Sequence, residues 1–190
     1  MKTSQRHKLP LALPGALLGA LAVALSLTPP AASAAAEHRC GETGMYGEAG
    51  PSIVTVKSKG MLCGPARKVL DKYLGGGRSR GWECLSAGEE GFCRRGKAIV
   101  AYRSATKVNK CGSVGFEPNT DNVAAQIRAR HVSCRVARRV ARGSRATGPT
   151  HLDPYRAAGF SCRGRAVDSP LPLGLYVCRR SGATVVFSRS

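Results

Sequence analysis

Residues 52–58, SIVTVKS, alternate β-branched apolar side chains with Ser, Thr and Lys. A period of two in that composition predicts a strand with one buried face. The period changes a few residues later. Ala66, Val69, Leu70, Tyr73 and Leu74 recur at helical spacing, and Gly75-Gly76-Gly77 stops the run. Pro65 falls in the first turn, where its missing N–H does no harm. A helix is therefore expected to start beside Cys63. Further on, GWEC and GFCRRGKAIVAYR read as two strands of a hairpin closed by Ala87-Gly88-Glu89-Glu90.

The same order returns in the second half. Ala137, Val140 and Ala141 make an apolar stripe that starts near Cys134, with Ser133 as its N-cap. GFSCRG and LYVCRRSGATVVFSR follow, the latter with a tight-turn signal at Ser181-Gly182. Moving the chain by 71 positions lays Cys40-Gly41 on Cys111-Gly112, Cys63 on Cys134, and Ala66-Arg67-Lys68-Val69 on Ala137-Arg138-Arg139-Val140. Downstream, Gly81-Trp82-Glu83-Cys84 matches Gly159-Phe160-Ser161-Cys162, and Cys93-Arg94-Arg95 matches Cys178-Arg179-Arg180. Two copies of one four-cysteine module account for this pattern.

The cysteine intervals separate scaffold from loop. First to second is 23 positions in both halves, second to third is 21 and then 28, and third to fourth is 9 and then 16. Intervals that vary are loops, because added length costs little closure entropy. The extra segments GSRATGPTHLDP and DSPLPLG have loop composition. The sequence thus predicts an α+β fold of two tandem disulfide-stapled modules, residues 37–105 and 106–190. Each is expected to hold a strand, one helix and a short antiparallel meander.

The N-terminus adds a compartment. Lys2, Arg6 and Lys8 precede an apolar run, LPLALPGALLGALAVALSL, and small residues lead to AASAAAEHRC. This is the pattern of a secretory signal peptide over residues 1–36. Cys40 follows Glu37, His38 and Arg39, which do not form a lipid-attachment motif, so a freely secreted, extracellular product is expected. All eight cysteines lie beyond residue 36, and an even number in an exported chain implies disulfides. The third and fourth cysteines of each half sit on hairpin strands and should pair. The first and second then pair across the constant interval, giving Cys40–Cys63, Cys84–Cys93, Cys111–Cys134 and Cys162–Cys178. Modules this small bury a modest core and need such staples. With no C-x2-C or H-x3-H pair, the spacing speaks against a zinc site, and no cofactor motif is present.

Charge narrows the partners. The chain has 30 Lys and Arg against 11 Asp and Glu; without residues 1–36 it has 27 against 11, a net +16. Such an excess draws a protein towards anionic surfaces. Beyond Lys110 every basic residue is an arginine, thirteen in all. Four of them, Arg135, Arg138, Arg139 and Arg142, occupy i, i+3, i+4 and i+7, one stripe opposite Ala137 and Val140. The first half has Gly64, Arg67, Lys68 and Asp71 at those places. Guanidinium forks suit phosphate and carboxylate. The competing reading is a solvated helix face whose late cations complement the helix dipole. No aromatic residue interleaves the stripe, so sequence-specific reading of nucleic acid is not indicated.

Catalytic chemistry finds little support. Every cysteine has a counterpart in the other half, and no G-x-S-x-G elbow accompanies the histidines. His131, His151 and Asp153 form the best set of general acid–base groups, as in a small basic nuclease. Glu117, Asp121, Asp153 and Asp168 fall in no motif of facing carboxylates. The expectation is a secreted, non-enzymatic basic protein that binds anionic polymer, such as wall teichoic acid or extracellular nucleic acid. The alternative is a secreted inhibitor of another enzyme, meeting an extracellular protein partner through loops 143–156 and 168–174.

The composite pattern C-G … C-x-x-A-[RK]-x-V … G-[FWY]-x-C … C-x-x-G … V-x-[FY] resembles small exported actinobacterial proteins stapled by disulfides, a group of unknown function. The resemblance covers nearly all of the chain after residue 36 and implies an extracytoplasmic domain without a transferable activity. The tandem doubling departs from that group's single-module form. KGMLCGPARKVL is also faintly similar to the helix-start motif of the β-lactamase inhibitor proteins, which are secreted tandem α+β repeats; the strong basic charge is not theirs.

Overall fold

A computed structural model describes residues 36–118, 120–147, 152–168 and 173–190. The expected signal peptide, apart from Ala36, lies outside the described residues. The described residues form one compact unit. The first half supplies β1 (Glu37–Gly47), β2 (Gly50–Lys59), α1 (Cys63–Leu74), β3 (Glu83–Ala87), β4 (Glu90–Arg95) and β5 (Ala98–Ser104). The second supplies β6 (Asn109–Lys110), β7 (Val114–Gly115), β8 (Val123–Arg130) and α2 (Cys134–Arg142), then β9 (Tyr155–Ala157), β10 (Phe160–Ala166), β11 (Gly174–Arg180) and β12 (Ala183–Arg189). Two sheets result, ordered β1-β2-β5-β4-β3 and β6-β8-β12-β11-β10-β9, with β7 also pairing β8. Every strand pair is antiparallel.

The α+β expectation does not hold. Strands carry 51% of the described residues and helices 17%, so the protein is predominantly antiparallel β. The difference comes from strands whose own residues do not announce them. β1 reads EHRCGETGMYG, three glycines and no alternation, yet it pairs with β2 along its length. β8 reads VAAQIRAR, a helix-favouring composition, and is held extended between β12 and the short β6 and β7. Tertiary pairing overrides local propensity at both. The run GFCRRGKAIVAYR is not one strand but two, β4 and β5, broken at Gly96 with φ +56°.

Each helix covers one face of its own sheet. Ala66 and Leu70 of α1 pack on Val54, Val56, Val100 and Tyr102, with Tyr73 and Leu74 at the margin. Ala137, Val140 and Ala141 of α2 pack on Ile127, Ala129, Phe160, Tyr176, Val185 and Phe187. A third cluster joins the sheets: Ile53 of β2 meets Leu175 and Val177 of β11 and Val186 of β12. Only a glycine fits opposite this cluster at position 44, where a Cβ would stand 2.6 Å from Val177 Cγ2.

Four disulfides close the scaffold, Cys40–Cys63, Cys84–Cys93, Cys111–Cys134 and Cys162–Cys178, and no cysteine is free. Two of them pin the first residue of a helix, Cys63 or Cys134, to the chain 23 residues before it. The other two bridge directly opposed residues of β3–β4 and β10–β11. Such a set fits an oxidising or extracellular environment. No helix among the described residues is long and apolar enough to cross a membrane.

Candidate anion-binding surface

α2 begins at Cys134, with Ser133 in the extended N-cap conformation but without a side-chain bond to the first turn. Its buried stripe fixes the opposite face outward, so Arg135, Arg138, Arg139 and Arg142 are all exposed. They differ in what they touch. Arg138 turns back along the helix and its Nε donates to the Cys111 carbonyl at 2.8 Å, beside the Cys111–Cys134 bridge. Arg67, 71 positions earlier, donates from Nε to the Cys40 carbonyl at 2.7 Å. Arg138 is thus in part a scaffold residue. Arg135, Arg139 and Arg142 make no hydrogen bond or ion pair with any described residue, and their guanidinium forks face water.

The acids lie elsewhere. Among the described residues the ion pairs are Lys57–Glu37, Arg94–Glu83, Arg103–Glu90, Arg130–Glu42 and Arg165–Asp71. All five carboxylates belong to the first half, and none of them pairs with an arginine of α2 among the described residues. The last turn of α2 adds Arg139 and Arg142 where the helix dipole already favours cations. Arg145, in the 3-10 turn Gly143–Ala146 that continues α2, is also exposed. The surface can hold an extended anion by charge and bidentate hydrogen bonds.

A second basic group, which sequence spacing did not single out, lies where the sheets meet. Arg179 Nε donates to the Glu42 carbonyl at 2.9 Å. Arg165 reaches the Asp71 carbonyl at 2.8 Å and the Asp71 carboxylate at 3.5 Å, and also donates to the Gly44 carbonyl. Arg130 pairs with Glu42. Burial lowers the guanidinium pKa of Arg165 and Arg179 below the ordinary arginine value, while Asp71 works the other way. The one signal available in the sequence was the alternation Arg163, Arg165 along β10, which places both on one face of a strand.

The aromatic residues that the repeat matches, Trp82 and Phe160, carry a cation each. Arg95 lies over Trp82 at 5.1 Å and Arg180 over Phe160 at 4.7 Å. The acid–base candidates are not assembled by anything described. His131 is exposed in a left-handed turn before α2 with φ +56°, Asp153 is exposed ahead of β9, and His151 lies outside the described residues. No group of three or more His, Cys, Asp or Glu among the described residues is placed to hold a metal. Parts of the two expected contact loops, residues 148–151 and 169–172, also lie outside the described residues.

A different exposed surface takes their place. Leu85, Phe92, Ala101 and Lys57 stand opposite one another across β3, β4, β5 and β2. They lie on the face of the first sheet that α1 does not cover. Leu85 is 64% exposed and Phe92 39%. They line a concavity of about 560 Å³ with Thr55, Ala87 and Arg103.

Fold and surface define a class: a disulfide-stapled, two-sheet antiparallel β protein with an uncompensated arginine face on one helix. No family model, curated protein or solved structure matches the chain.

Proposed function

We propose that the protein is a secreted, non-enzymatic binder of anionic polymers, built from two copies of one four-cysteine module and exported by the N-terminal signal. The observation that carries this is the exposed row Arg135, Arg139 and Arg142, which no carboxylate among the described residues neutralises. Net charge of +16 after residue 36 supplies long-range attraction, and the helix supplies a local docking face. Phosphate-bearing polymers of the cell envelope or free nucleic acid meet both requirements, and the lack of interleaved aromatics favours backbone contact over base reading.

The repeat reading rests on matched local structure as well as spacing. Gly41 and Gly112 adopt φ +76° and +73°, and Arg67 and Arg138 make the same bond to a cysteine carbonyl. The test is capture from culture medium at low salt by the chain from residue 37. Recovery of a phosphate polymer eluted by salt supports the proposal, and a protein of fixed stoichiometry that resists salt contradicts it. That second outcome belongs to the inhibitor reading, which the exposed Leu85–Phe92 face favours, since apolar sheet surface of that kind suits a protein partner.

A further inference from the structure

The junction of the two sheets holds a charge arrangement that its own residues leave incomplete. α1 lies beside β10, and Asp71 pairs there with Arg165. One turn earlier on the same helix face the residue is Arg67, and two residues earlier on the same face of β10 it is Arg163. Arg67 and Arg163 each lie near enough to Arg179 to repel its charge. Ser161, two residues before Arg163 on the same face of β10, is directly opposite Arg179 on β11.

The two docked guanidiniums share one strand. Arg67 donates to the carbonyl of Cys40 and Arg179 to that of Glu42, two residues apart on β1. Arg179 then has a buried Nη2 with no hydrogen-bond partner. Arg163 is exposed and bonds to no described residue. The acids nearby are Asp71, already bonded to Thr43 and Arg165, and Glu42, which pairs with Arg130 and keeps one buried oxygen without a partner. Arg67, Arg163 and Arg179 thus form no ion pair with a described carboxylate, and an unpartnered buried donor such as Arg179 Nη2 is costly.

We propose that this basic patch, which brings Arg67 from the first half together with Arg163 and Arg179 from the second, binds a multiply charged tetrahedral oxyanion of the phosphate or sulfate type. Such a group supplies acceptors to several guanidinium forks at once and offsets the excess charge. The Ser161 hydroxyl, exposed on the same face, adds a donor. The site is separate from the polymer-binding surface, because α2 packs on the opposite face of the second sheet. Both halves contribute to it, so it exists only in the joined chain.

The experiment is calorimetric titration of the chain from residue 37 with inorganic phosphate at low ionic strength, with arginine Nε–H resonances followed in parallel. Saturable binding of one phosphate is expected, with shifts at Arg67, Arg163 and Arg179 that chloride at equal ionic strength does not reproduce. Arg163→Gln, an exposed change, should weaken it by about tenfold, and Arg67→Gln should do the same. A chain carrying Arg135→Gln, Arg139→Gln and Arg142→Gln should bind phosphate within about twofold of the parent. Absence of saturable binding, or indifference to Arg163→Gln, would overturn the site. So would acetate binding as tightly as phosphate, or loss of phosphate binding in the α2 variant. Failure of polymer binding alone would leave this site standing, since the two surfaces are read out by different variants.

Discussion

Gly44 ties a single missing methyl group to the way the sheets meet. A Cβ there would press on Val177 and Val186, whereas at Gly47 it would meet nothing within 4 Å. Gly44→Ala should therefore lower stability by about 1–3 kcal/mol through overpacking, and Gly47→Ala should stay within about 0.5 kcal/mol. Urea unfolding of the two variants side by side measures the difference. Tyr155 is a second sensitive position. Its hydroxyl donates to the Val140 carbonyl of α2 at 3.0 Å, so Tyr155→Phe should cost about 1 kcal/mol in the same assay. Neither role was legible beforehand. Gly44 sits in a run with no periodicity, and Tyr155 follows an insertion that the sequence marks only as loop.

Elements divide into those that declare themselves and those fixed from outside. Both helices start at the cysteines where the spacing places them; the expected stripe of α2 is buried, whereas in α1 only Ala66 and Leu70 of the expected five are fully buried. The cysteine partners were legible for a related reason: an interval held at 23 in both halves marks a fixed distance, and opposed hairpin strands bring their cysteines together. β1, β8 and β9 were not legible, because their strand character comes from neighbours distant in sequence. The fold class was misjudged on those strands. On the loop-entropy account, replacing Cys111 and Cys134 together by Ser should remove roughly 3 kcal/mol. The loss should appear first as faster amide exchange at the start of α2, where the bridge and Arg138 both anchor the helix to Cys111. Equal acceleration across β11 and β12 would show that the bridge does not act locally.

At the scale of the whole molecule, charge and burial set the response to pH and salt. Burial raises the phenol pKa of Tyr73, Tyr155 and Tyr176 above the ordinary value, with a neighbouring tyrosine adding to the effect for Tyr73 and Tyr155. For a group raised in the folded state, stability is intact below the unfolded phenol value near 10 and falls as pH climbs above it. Phenolate absorbance should accordingly show Tyr155 and Tyr176 ionising only together with alkaline unfolding. All five titrating before the unfolding transition would contradict the burial of Tyr155 and Tyr176.

The arginine stripe was legible as a pattern, but the sequence could not show that Arg138 is half spent on the Cys111 carbonyl, nor that the ion pairs among the described residues use only carboxylates of the first half. That division of labour makes the salt dependence of polyanion binding the most direct test. Affinity for a single-stranded nucleic acid or a polyphosphate is measured across a salt series, and log affinity is plotted against log salt. The triple change of Arg135, Arg139 and Arg142 to Gln should flatten the slope by about two to three, the counterions those contacts release. A control that changes the exposed Arg78, Arg80 and Lys97 to Gln removes the same charge from the first half and should leave the slope nearly unchanged. Equal flattening by both sets would contradict the α2 surface as the binding site and leave only diffuse attraction.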